Sequence, residues 1–198
     1  MAAREGNNAW TRADGSAMRC QLLRLIHRYY LDTVSRLPAA DLRTTLARGL
    51  LVAGHCYDPL HPVHNILLNS IWYVAAFPLS VADQIDVHVV SSDDIVRACC
   101  RSLDRLVASL RHYCPSLSAG DALWHLMSAD ADLSVAVALA NRTSKPSVRA
   151  AMRSQAQGAF QAAAEAARHP NPAALGLFAS SVLPAVERDI APFGRFCA

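Results

Sequence analysis

Lysine is almost missing from this chain: of its nineteen basic residues eighteen are Arg and only Lys145 is Lys. In so Ala-rich a sequence that skew reads as the mark of a GC-rich coding genome and assigns no function. Charge of either sign is sparse at 18% of residues, the net charge is +3, and the Arg residues are scattered among acids. A nucleic-acid footprint would gather its cations on one face. The densest basic group, Arg19, Arg24 and Arg28, covers one flank of an expected helix and reads as a solvated face. Nucleic-acid binding is therefore not expected, and a nucleic-acid-associated factor stands only as an alternative. The eight glycines are scattered, and no G-x-x-x-x-G-K phosphate loop occurs. A G-x-S-x-G nucleophile elbow is also lacking. The six cysteines (Cys20, Cys56, Cys99, Cys100, Cys114 and Cys197) show no disulfide-framework spacing, and "MAAREGNNAWTRADGS" holds no apolar segment of secretory type. Reduced thiols in a cytoplasmic or nuclear compartment are expected.

What is present is apolar. At 53% hydrophobic residues in 198, one packed domain with a small helical annex is expected. Residues 59 to 82 carry no Asp, Glu, Lys or Arg and are long enough to cross a bilayer. However, His64, Asn65, Asn69 and Pro78 fall inside that run, where lipid would penalise them. A buried helix and no membrane contact are expected.

The periodicity is helical throughout. Residues 1–16 are polar and aperiodic and are expected to form a disordered tail. Met18, Leu22, Leu25, Ile26 and Tyr29 predict a helix from Ala17 to Arg36 with Ser16 as its cap. Pro38 opens a second helix with a ladder of Leu42, Leu46, Leu50 and Ala53 up to Gly54, expected to lie antiparallel to the first. Pro62 suits a first helical position, and Val63, Ile66, Leu67, Val74 and Phe77 carry a third helix to Pro78. Residues 79–90 are read as an extended connector. "SSDDIVRACCRSLDRLVASLRHYC" is the clearest helix, capped by Ser91 or Ser92, with Asp93 and Asp94 at its positive end. "SAGD" at 118–121 resembles a capping box and opens a short helix; "ADADLSVAVALAN" adds another. "RTSKPS" at 142–147 is the expected linker. A long Ala-rich helix from Val148 to Arg168 follows, then one begun by Asn171 and Pro172 and stopped or kinked by Pro184. The fold class is all-α with about seven helices: a core over 17–140 and a C-terminal helical pair over 147–190 packed on it.

One stretch concentrates groups that bind metal or move protons: "HCYDPLHPVH" holds His55, Cys56, His61 and His64. These donors suit zinc, but neither C-x-x-C nor H-x(3–5)-H pairing is present. The stretch is read as a helix start, and a metal-dependent or Cys/His enzyme built on the His55–His64 cluster is the alternative. Asn65 and Asn69, at i and i+4, are expected to pin neighbouring loops to the third helix. Trp72, Tyr73 and Trp124 are read as core or interface anchors.

Long phrases, "LARGLLVAGHCYDPLHPVHNILLNSIWYVAAFP", "SLDRLVASLRHYCP", "ALWHLMSADADLSVAVALA" and "AAAEAARHPNPAAL", resemble the plant helical-domain proteins called PIR-two-like, over roughly residues 20 to 185. In that family a tract similar to D-P-V-S-N-I opens the central helix. It answers here to His61, Pro62, Val63, His64, Asn65 and Ile66, with His61 in place of Asp and His64 in place of Ser. The resemblance thus implies a helix cap at 61 and no ligand role for either histidine. A related domain occurs in plant RING-type ubiquitin ligases, but this chain has no Cys/His array for a RING, so ligase activity is not implied. The expectation is a non-enzymatic plant protein that binds an unidentified protein partner. No catalytic, cofactor or metal residue is assigned, and no small-molecule ligand is expected.

Overall fold

The computed structural model describes residues 10–38, 42, 46–56, 60–80, 90–143, 145–181 and 185, without the side chains of 145–150 and 153. Among these there are eight helices and no strand. The first, α1 (Arg12–Arg36), begins earlier than the apolar ladder indicates. Its cap is Thr11, whose Oγ1 accepts from Asp14 N at 3.1 Å while Asp14 Oδ2 accepts from Thr11 N at 3.1 Å. This reciprocal pair satisfies two orphan donors and starts the helix before any apolar face is needed. The expected tail is therefore too long at its C-terminal end, and Ser16 lies inside the helix; residues 1–9 are outside the described residues. Trp10 anchors the segment by donating from Nε1 to Asp121 Oδ1 at 2.7 Å.

From Pro38 a helical turn is visible in Leu42 N donating to Pro38 O at 3.0 Å, but the regular helix α2 covers only Ala47–Val52. Residues 39–41 and 43–45 are outside the described residues. The short link suggests that α1 is the main packing partner of α2, and in that respect the expectation is corrected. Among the described residues α2 packs chiefly on α3 (Pro62–Ala76) and then on α4 (Ser92–Tyr113). The reason is small side chains: a Cβ on Gly49 would collide with the Ser70 carbonyl of α3, so the two backbones touch there.

Helix α3 starts where Pro62 predicts and stops at Phe77 ahead of Pro78. Helix α4 is capped by Ser91, whose Oγ accepts from Asp94 N at 3.2 Å. Its stripe of Ile95, Cys99, Leu103, Leu106 and Leu110 is buried, and Tyr113 is half-buried. It is the axial element, packed against α1, α2 and the three helices that follow it. Those are α5 (Ala119–Ser128), opened by the Ser118/Asp121 capping box; α6 (Leu133–Asn141), capped by Asp132; and α7 (Lys145–Ala166). Between α5 and α6 the chain bends by 116° through Asp130 and Ala131, both with positive φ. Among the described residues no single helix is long and apolar enough to cross a membrane.

The linker expected at 142–147 is shorter. Arg142 ends α6 in the left-handed conformation with Thr143 N donating to Ala138 O at 3.0 Å, and α7 already begins at Lys145. After Arg168, α8 (Pro172–Ser181) opens with Asn171 Oδ1 accepting from Ala174 N at 3.1 Å. The expected connector at 81–89, Pro184 and the end of the expected pair at 186–190 lie outside the described residues. Two apolar clusters result. The main one joins α1, α2 and Ile66 of α3 to α4, α5 and α6 and takes in Met152 of α7; a second gathers Phe160, Leu175 and Phe178 of α7 and α8 with Leu60, Leu68 and Trp72.

Candidate functional site

The His/Cys stretch is divided by the fold. His55 and Cys56, in the turn after α2, are fully buried, whereas His61 and His64 sit at the surface around the start of α3. Tyr30 reaches the inner pair from α1 because Met18, Leu22, Ile26 and Tyr30 form one four-residue ladder along its buried face. Its hydroxyl donates to Gly54 O at 2.5 Å and lies 3.2 Å from His55 Nδ1. Ser102 of α4 stands 2.9 Å from the same hydroxyl and 3.3 Å from His55 Nδ1, and its Oγ accepts from Cys56 N at 3.3 Å. On the other side of the ring, His55 Nε2 donates to Val52 O at 3.1 Å, which assigns the proton to Nε2 and leaves Nδ1 as acceptor. Asn69 of α3 closes the set by donating from Nδ2 to His55 O at 2.9 Å.

The electrostatics follow from burial. Desolvation, aided by the nearby Arg105 charge, holds the His55 imidazole well below its ordinary range and so neutral. Desolvation raises Tyr30 well above a normal phenol and pushes the Cys56 thiol up to about 12, so neither supplies an anion near neutral pH. The arrangement has the residue types of a relay, but each polar atom is spent on backbone or on a neighbour, and none of Tyr30, His55, Cys56 or Ser102 is exposed. Its effect is to fix the turn between α2 and α3 against α1 and α4.

His61 caps α3, its Nδ1 accepting from Val63 N at 3.4 Å, and its ring stands edge-on to Tyr29 at 5.5 Å. Partial burial and His64, whose ring centroid is 6.0 Å away, hold His61 below the usual imidazole range. Among the described residues no three His, Cys, Asp or Glu side chains are arranged to hold a metal ion. Asn65 donates from Nδ2 to Leu60 O at 2.8 Å, so both asparagines pin the incoming chain to α3 as their spacing predicts. Of the basic flank, Arg19 pairs with Asp104 of α4 at 3.0 Å, while Arg24 and Arg28 are exposed.

The outer side of α3 carries a second set of contacts. Trp72 stacks on Phe178 of α8 at 4.5 Å between centroids, and His169, between α7 and α8, lies 6.3 Å from Trp72 and edge-on to Tyr73 at 5.8 Å. Arg48 of α2 lies over the Tyr73 ring at 4.9 Å and donates to Phe77 O at 2.7 Å. His169 Nδ1 accepts from Asn171 N at 3.0 Å, and burial together with Arg105 lowers its pKa to about 4. Where α4, α6 and α7 meet, an open groove of about 300 Å³ is lined by Tyr113, Val137, Asn141, Met152 and Gln155 among others.

Sequence reasoning missed Tyr30, Ser102, Arg105 and His169. The continuation of the four-residue ladder could have found Tyr30. A serine and an arginine three apart within the α4 stripe could have marked Ser102 and Arg105, which is fully buried. Nothing local marks His169, whose burial depends on α7 and α8 closing over α3.

The family profile described as "PIR2-like, helical domain" matches residues 24–141. This is narrower than the span over which the quoted phrases resemble that family, and it ends with the last residue of α6. No curated protein and no solved structure matches the chain. With more than half of its length matched, and with the helix start at Pro62 and the buried His55 turn both inside the match, the chain belongs to the PIR2-like helical domain family.

Proposed function

We propose that this protein is an interaction module of the plant cytoplasm or nucleus that works by binding another protein and carries out no catalysis of its own. The observation that supports the reading is the fate of the His55–Cys56 pair. The groups best suited to proton transfer or nucleophilic attack are buried, neutral and hydrogen-bonded to Tyr30, Ser102 and backbone carbonyls. A general base must reach its substrate's proton, directly or through one water. These groups instead hold a rigid helical frame, the kind of support on which binding surfaces are presented.

The test has two arms. Affinity capture from plant extract with the full chain is expected to return a reproducible protein, which on purification reconstitutes a defined complex in analytical ultracentrifugation. Elemental analysis of the purified chain addresses the enzyme alternative. Near-stoichiometric zinc or another transition metal, together with failure to reconstitute any complex, would overturn the reading in favour of a metal-dependent enzyme.

A further inference from the structure

We draw no further inference here: the strongest candidate, the open groove of about 300 Å³ where α4, α6 and α7 meet, has both apolar and polar side chains along it, from Val137 and Met152 to Tyr113, Asn141 and Gln155, but nothing in the structure shows what would occupy it.

Discussion

The hydroxyl of Tyr30 meets Gly54 O, Ser102 Oγ and His55 Nδ1 at a point from which water is excluded, so its removal leaves acceptors with nothing in exchange. Tyr30→Phe, which keeps the ring, is expected to lower stability by about 1–3 kcal/mol in urea unfolding, the range for stranding buried polar groups. An unchanged midpoint would mean that the network does not hold the turn. His61 is the converse, a weak solution at an accessible position. Its Nδ1 is 3.4 Å from Val63 N, at the long end for such a bond, and it stands where an Asp would cap α3 through a charged oxygen. His61→Asp is expected to stabilise the protein by roughly 0.5–1 kcal/mol, read as a rise in melting temperature. A Tm that stays put or falls would remove the cap assignment. At this scale the sequence shows which residues have chemistry, and spacing alone locates Asn65, Asn69 and His61. It does not show that His55 and His61, six positions apart, end on opposite sides of the molecular surface. That depends on α1 and α4 closing over the turn.

Helix starts are local events, and most could be read from the chain. Ser91 and the Ser118/Asp121 box each satisfy orphan donors within three residues, and Pro62 removes one because it has no N–H, with no help from elsewhere. The Thr11/Asp14 box obeys the same rule, but the apolar ladder begins only at Met18 and so points to a later start. What the pattern does not reveal is which helices adjoin. A short link suggests that α2 lies along α1, yet it packs on α3, because Gly49 brings two backbones together there. Gly49→Ala tests that contact directly. Its methyl group would meet backbone oxygen, which has no rotamer to escape into, so a loss of about 1–3 kcal/mol is expected, measured by chemical denaturation. A neutral result would show that the α2–α3 approach is looser than the structure has it.

For the whole molecule the clearest expectation concerns acid. His169 titrates near 4 in the folded chain against about 6.5 when unfolded, and burial is the main cause, with the Arg105 charge second. His55 is shifted in the same direction. The unfolded chain therefore binds protons at a pH where the folded one does not. Stability is complete above about pH 6.5 and declines as pH falls towards 4, by an amount on the order of 2–3 kcal/mol from His169 alone. Urea midpoints at pH 7.5 and 4.5 should show the decline, and His169→Gln should shrink it; identical slopes in the two proteins would place the effect elsewhere. The groups that face His169 from the elements around it are Arg105 of α4 and His55 of the turn after α2, with Trp72 and Tyr73 of α3 uncharged. By itself the sequence determined the all-α class, the starts of most but not all of the described helices and the family, because caps, prolines and three-to-four spacing act within a few residues. Only the tertiary structure decided that the His/Cys stretch is split between interior and surface, that α2 lies against α3, and that α7 and α8 cover Trp72. Those outcomes depend on which apolar faces exclude water together, and the partners are residues from about twenty-five to more than a hundred positions apart along the chain.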